Sequence, residues 1–177
     1  MKEDHRYEQY YFDAQTRTAL IGLLAHFERP LLLCAPSLAV AIEETALSPD
    51  YLLLDRDDRF SFLRGFQRWD LKNTADVARV GNGLPDVVFC DPPFANFPLR
   101  QLRDAIDVLA PRAPLYLAYN VQREEEVQRA FDGWHHVLDN LGPLGYESVK
   151  PTTQRQIVLF GPPVGDSCIA LALKDEG

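Results

Sequence analysis

Asp91-Pro92-Pro93-Phe94 is where this sequence concentrates its chemistry. A carboxylate, proline carbonyls without competing N–H groups and an aromatic face stand side by side there. The prolines fix their own φ and push the residue before each away from the helical region, so the loop is stiff. Asp91 and a backbone carbonyl near Pro92 can accept both hydrogens of an amino group, while Phe94 can stack on a ring or wall off an alkyl chain. An amine held this way keeps its lone pair aimed at an electrophile, which is catalysis by positioning. A plain proline-rich turn with a packed phenylalanine would have the same composition. What separates the two is the run Asp86-Val87-Val88-Phe89-Cys90 directly upstream. That run is β-branched and aromatic and reads as a buried strand. Open α/β sheets bind ligands at the carboxyl ends of such strands.

The flanking chain supplies the elements that must hold this turn. Asp13 offers an N-cap for a helix over Ala14–Phe27, with Leu20, Leu23, Leu24 and Phe27 on one face. After Pro30, Leu31–Cys34 reads as a first buried strand, leading through Ala35-Pro36-Ser37 into a helix over Leu38–Thr45. A strand, a tight turn of small residues and a helix N-terminus suit a nucleotide-type cofactor, although no glycine-rich fingerprint is present. Tyr51–Asp55 is a second strand ending in an acid, and Gly65–Asp70 a third. Asp55, with Asp57 close behind it, is a candidate to bind ribose hydroxyls; the run Asp55-Arg56-Asp57-Asp58-Arg59 reads equally as a solvated charge cluster. A helix over Leu99–Leu109, a strand over Pro114–Tyr119 and a charged helix over Gln122–Phe131 follow. Residues 134–146 receive no assignment. Gln156–Phe160 and Cys168–Leu173 read as an antiparallel pair joined by a loop containing Gly161-Pro162-Pro163. Strands alternating with helices mean a mostly parallel sheet covered on both faces, here a single α/β domain over residues 1–177. Residues 1–28 form its N-terminal flap and helix, and Tyr7, Tyr10, Tyr11 and Phe12 there either dock on the domain or line a site.

Composition narrows the function classes. No apolar run is long enough to span a bilayer, and the N-terminal residues do not resemble a secretion signal. Cys34, Cys90 and Cys168 are an odd set without metal-ligand spacing, which predicts reduced core thiols in a cytoplasmic protein. His135 and His136 are adjacent and have no completing ligand, so no metal site is expected. The formal net charge of −8 provides no global field for nucleic acid, although Arg100, Arg103, Arg112 and Arg123 leave room for a local basic patch.

The strand-end acids and the Asp91–Phe94 string resemble class I S-adenosylmethionine-dependent methyltransferases, and specifically the Asp/Asn-Pro-Pro-aromatic motif of those acting on amino groups. The nearest resemblance is to the probable adenine methyltransferase family. That family includes the elongation factor 1-alpha lysine methyltransferase and a ribosomal RNA adenine methyltransferase within a larger zinc-finger protein. Three more stretches carry the likeness: Gln9-Tyr10-Tyr11-Phe12, Cys34-Ala35-Pro36-Ser37 in place of a glycine-rich loop, and Leu54-Asp55-Arg56-Asp57-Asp58-Arg59-Phe60. Together they run through roughly residues 7–120, and the likeness fades after Tyr119. The resemblance implies a Rossmann-like, mostly parallel seven-stranded sheet with an antiparallel hairpin at the C-terminal end. S-adenosylmethionine is the implied cofactor. Ala35, Pro36 and Ser37 would face its methionine part, Asp55 and Asp57 its ribose and Asp70 or its neighbours its adenine, with Asp91 at the shared edge of cofactor and amine. Asp91, Pro92, Pro93 and Phe94 would hold the amine, and Gln9, Tyr10, Tyr11 and Phe12 would close over the substrate.

Three readings follow from this. The favoured one is methylation of a lysine on a protein substrate such as a translation factor, with Asp91 and the carbonyls selecting or generating the neutral amine. The second is N6 methylation of adenine in RNA or DNA, where the base must be unstacked into the pocket. The third is an inactive scaffold that keeps the fold and binds partners; the intact Asp91–Phe94 string argues against it.

Overall fold

The computed structural model describes residues 3, 9–45, 50–72, 83–93, 97–131, 136–137, 141–150, 152 and 156–162. Its centre is a seven-stranded sheet: β1 (Pro30–Leu33), β2 (Leu52–Asp55), β3 (Phe66–Arg68), β4 (Val87–Cys90), β5 (Leu115–Asn120), β6 (His136–Val137) and β7 (Ile157–Gly161). Among the described residues, helices α1 (Ala14–Leu24), α2 (Pro36–Glu43), α3 (Leu99–Leu109) and α4 (Glu124–Ala130) flank it. The strand order is β3-β2-β1-β4-β5-β7-β6, with β1 to β5 parallel and β7 antiparallel to both its neighbours.

The central strands are short, wholly apolar and buried on both faces, as parallel strands under two helical layers must be. Alternation along each strand divides the core in two. Leu32, Leu53, Phe89, Ala118 and Leu159 point to the side covered by α1 and α2, where Leu20, Leu23, Leu38 and Ile42 meet them. Leu31, Leu33, Leu54, Val88, Cys90, Leu117 and Phe160 point to the other side, against Leu102, Ile106 and Leu109 of α3 and Val127 of α4.

Element edges follow local chemistry. Asp13 caps α1, its Oδ1 accepting the Thr16 N–H at 2.8 Å, and the helix ends at Leu24 rather than Phe27. Helix α2 begins two residues ahead of its expected start because Pro36 occupies the first helical turn, where a missing N–H costs nothing. Pro30 stands as the first residue of β1, the strand position a proline tolerates. The expected mostly parallel seven-stranded sheet with an antiparallel element at its end is present. The antiparallel strand β7 inserts between β5 and β6, and β6 comes from the unassigned stretch 134–146. The expected strand Cys168–Leu173 lies outside the described residues. No helix among the described residues is long and apolar enough to cross a membrane.

The N-terminal segment is part of the core. Phe12 is fully buried, its ring 6.0 Å from Phe89 on β4 and 4.8 Å from Tyr146, and it forms an isolated antiparallel bridge with Tyr146. The Asp13 N–H donates to the Gly145 carbonyl at 2.9 Å, and the Glu147 N–H to the Tyr11 carbonyl at 2.8 Å. Arg17 completes the join, donating to the Phe12 carbonyl and the Glu147 carboxylate, each at 2.6 Å. Phe12→Ala is expected to cost about 3–5 kcal/mol in urea unfolding, the loss for a large buried aromatic. A change below about 1 kcal/mol would show that the segment is not part of the folded core.

Candidate active site

The strand order reverses at β1, with β2 on one side of it and β4 on the other, and the crevice at such a switch point is the binding place of doubly wound sheets. Residues at three strand ends meet at this edge. Leu33 is in register with both Leu54 and Cys90, so Cys34, Asp55 and Asp91 emerge side by side. Two backbone bonds fasten them: the Cys34 N–H donates to the Leu54 carbonyl at 3.1 Å and the Asp91 N–H to the Leu33 carbonyl at 3.0 Å. Cys34 takes a left-handed backbone (φ 57°), which turns the chain sharply into α2 where a glycine would be conventional. Ala35 then stands at the N-cap of α2 without a side-chain cap, leaving the first-turn N–H groups of that helix uncapped.

The acids at this edge differ in what their environments do to them. Asp55 is 6% exposed, and burial raises its pKa to about 6, against the hydrogen bond that its Oδ1 accepts from the Asp57 N–H at 2.8 Å. Asp57 is also buried, but the Arg59 guanidinium outweighs that burial and holds its carboxyl below the usual range. Arg59 Nε lies 3.0 Å from both Asp57 oxygens and Nη2 lies 2.6 Å from Oδ2. Asp91 keeps part of its surface open, yet the protein around it pushes its pKa up to about 8. The Tyr146 hydroxyl donates to Asp91 Oδ1 at 3.0 Å and pulls in the opposite direction. Burial also raises the thiols of Cys34 and Cys90, which therefore stay neutral beside these carboxyls.

Most of the residues expected from the sequence meet here. Gln9 is buried and joins Asp57: its Nε2 donates to Asp57 Oδ2 at 3.2 Å, while its Oε1 accepts from Arg59 Nη2 at 2.9 Å and the Tyr11 hydroxyl at 3.1 Å. The expected substrate-closing segment is thus bonded to the loop after β2. Phe12 is core, and its N–H donates to Ser37 Oγ at 3.4 Å. Tyr10 is half-buried at the same place, Pro36 and Ala35 are buried, and Pro92 is buried behind a half-buried Pro93. Asp70 is exposed and accepts the Lys72 N–H at 2.9 Å; the buried neighbour is Trp69, whose N–H donates to the Asp55 carbonyl at 2.9 Å. Phe94 lies outside the described residues. Of the arginines noted for a basic patch, Arg103 is paired with Asp107 at 2.8 Å and Arg123 with Glu126 at 2.6 Å.

Two residues had no role assigned from sequence. Arg59 was visible only as part of a local pattern. Tyr146 sits at the end of Gly142-Pro143-Leu144-Gly145-Tyr146, and an aromatic closing a Gly/Pro turn was its one available signal. Gly145 is required there because a Cβ would run into the Asp13 carboxylate.

A sheet ordered 3-2-1-4-5-7-6, with acids after its second and fourth strands at the switch point, defines a class I methyltransferase architecture. Solved structures agree on the fold. The TehB-like S-adenosylmethionine-dependent methyltransferase from Corynebacterium glutamicum is 12% identical with a TM-score of 0.54, covering 86% of this chain and 89% of its own. The Methanococcus jannaschii fibrillarin pre-rRNA processing protein is 12% identical with a TM-score of 0.52, covering 82% and 72%. Thermoplasma acidophilum 1320 is 18% identical with a TM-score of 0.52, covering 89% and 90%. Residues 3–126 match the family described as probable N6-adenine methyltransferase, and the chain belongs to that family. Among curated proteins, no sequence matches it.

The raised Asp91 carboxyl has a consequence for stability. The native state holds its proton more tightly than the unfolded chain does, so this group costs stability progressively as pH rises from about 4 to about 8. Asp91→Asn removes that cost. The variant is expected to be more stable than the parent by about 1–3 kcal/mol at pH 8 and nearly equal to it at pH 4, by urea unfolding. Equal stability at both pH values would mean that the Asp91 carboxyl is not destabilised by burial.

Proposed function

We propose that the protein is an S-adenosylmethionine-dependent N-methyltransferase acting on a lysine amine of a protein substrate, held by Asp91, Pro92, Pro93 and Phe94. The observation that carries this reading is Asp91 itself. It stands at the switch point with Oδ1 taken by Tyr146 and with Oδ2 accepting no hydrogen bond among the described residues. The proline carbonyls adjoin it.

The chemistry of the donor set fits the cofactor. Asp55 accepts the backbone N–H groups of Asp57 and Arg56, and its two oxygens retain acceptor capacity for hydroxyl donors such as those of a ribose. The uncapped N-terminus of α2 suits a carboxylate, and the acids around Cys34 suit a cation. Asp57, bonded to Arg59 and Gln9, would hold the loop that carries Asp55. Bound S-adenosylmethionine supplies an electrophilic methyl group. The chain's own work is to hold the amine and take its proton, and to exclude water with Phe12, Tyr146 and Phe94.

Proton energetics favour lysine. Moving a proton from an ammonium of reference pKa about 10.4 to an ordinary carboxylate is uphill by about 9 kcal/mol. To a carboxyl near 8 it is uphill by only about 3 kcal/mol. An adenine amine is already neutral and needs no such base. The net charge of −8 and the pairing of Arg103 and Arg123 with acids also favour a protein surface over a phosphate backbone. The family description supports the second reading, adenine N6 in RNA or DNA.

Tritium transfer from labelled S-adenosylmethionine into whole-cell lysate separates the two. Label lost on protease treatment and retained with nuclease supports lysine; the reverse pattern supports adenine. In the same assay Asp91→Ala is expected to reduce transfer at least about 100-fold, and retained transfer would remove Asp91 from the amine-holding role. Asp55→Ala is expected to weaken S-adenosylmethionine binding by about 10- to 100-fold in calorimetry, the loss of one or two hydrogen bonds to a charged acceptor. Unchanged affinity would take Asp55 out of the cofactor site.

A further inference from the structure

We propose that Tyr146 is a positioning residue for Asp91: its hydroxyl fixes Oδ1, so that Oδ2 and the neighbouring proline carbonyl face the incoming amine, and it is itself held in place by Phe12. The inference rests on the amine-holding role of Asp91 given above and adds a residue from outside residues 3–126, the part of the chain that matches the family.

Tyr146 is bound on every side that the described residues offer. Its ring lies 4.8 Å from Phe12, its backbone bridges Phe12, and its residue is 2% exposed. Its two neighbours are pinned as well. The Gly145 N–H donates to Thr16 Oγ1 at 2.8 Å, and Glu147 pairs with Arg17 at 2.6 Å. A hydroxyl delivered by so fixed a ring has little freedom, and its bond to Asp91 Oδ1 at 3.0 Å sets the torsion of that carboxylate.

The hydroxyl acts as a donor and not as a proton carrier. Burial, with the Asp91 charge added to it, raises its pKa well above the ordinary tyrosine range, so it stays protonated over the working range. A donor to a carboxylate favours the ionised form, the form able to accept from an amine. Among the described residues, the other titratable groups at this edge are the thiols of Cys34 and Cys90, both kept neutral by burial, and Asp55 across Cys34; Tyr146 is the described side chain whose hydrogen bond tunes the Asp91 carboxyl.

The same arrangement joins the N-terminal segment to the reacting edge. Gln9 touches Asp57, the Phe12 backbone touches Ser37, and the Phe12 ring supports Tyr146. One short stretch therefore reaches three strand ends, and seating it sets the Asp91 carboxylate.

Tyr146→Phe tests the assignment, since the ring and its packing on Phe12 are retained and only the hydroxyl is lost. Carbon-13 titration of the Asp91 carboxyl in the ligand-free protein, assigned by its disappearance in Asp91→Asn, should move to higher pH in Tyr146→Phe. Tritium transfer into lysate should fall at least about ten-fold at pH 7, with the deficit narrowing toward pH 9, while S-adenosylmethionine affinity stays within about two-fold of the parent. An unmoved Asp91 titration overturns the proposal, as does a rate deficit of the same size at every pH or no deficit at all. Failure of the underlying reading looks different: Asp91→Ala would then keep its transfer activity, whatever Tyr146→Phe does to the titration.

Discussion

The structure depends on the burial of Phe12 between Phe89 and Tyr146. That one ring closes the core on the α1 and α2 side of the sheet and brings residues 145–147 over the carboxyl edge of β4. Tyr146 stacks against it, Gly145 meets Asp13 beside it, and Gln9 three residues upstream reaches the loop after β2. Burial of an aromatic is non-directional, but this one is steered by backbone bonds on both flanks, at Tyr11 and at Asp13. The combination turns a hydrophobic contact into a positional device.

Around it the site divides into carboxylates with opposed tasks. Asp57 is surrounded by donors from Arg59 and Gln9 and is held ionised, a structural anchor. Asp55 and Asp91 lie where burial makes charge costly, and each retains unused acceptor capacity. A group that costs stability in the empty protein and gains partners from a ligand is what a binding edge requires. The fold tolerates two such groups because the sheet beneath them, apolar on both faces, is anchored elsewhere.

Much of this could be read from the chain. The strand β4 and the turn after it followed from a β-branched run closed by prolines, and the acids at Asp55 and Asp91 from their place at strand ends. Helix α3 was bounded correctly because its apolar period and Pro111 leave one solution. What could not be read depends on partners far away in sequence. Strand β6 spans two residues and exists only through its pairing with β7, so no local pattern marks it. Tyr146 has no periodic neighbours, and its role comes from Asp91 and Phe12. The N-terminal aromatics were visible as unusual, but whether they docked or lined a site was a question of tertiary packing. Tyr11 and Phe12 dock in the core, and Tyr7 lies outside the described residues.

The ion pair between Arg17 and Glu147 joins positions 130 residues apart. Contacts of such sequence separation close late, because the chain between them must first be ordered. During synthesis at about 5–20 residues per second, α1 and the first parallel strands leave the ribosome several seconds before Glu147 does. Over that interval the Rossmann-like half can collapse while the Asp91 carboxyl still lacks its hydroxyl partner and Phe12 lacks one wall of its pocket. Strand β7 follows later still, so the carboxyl edge around Asp91 and the antiparallel end of the sheet are both completed after the parallel strands.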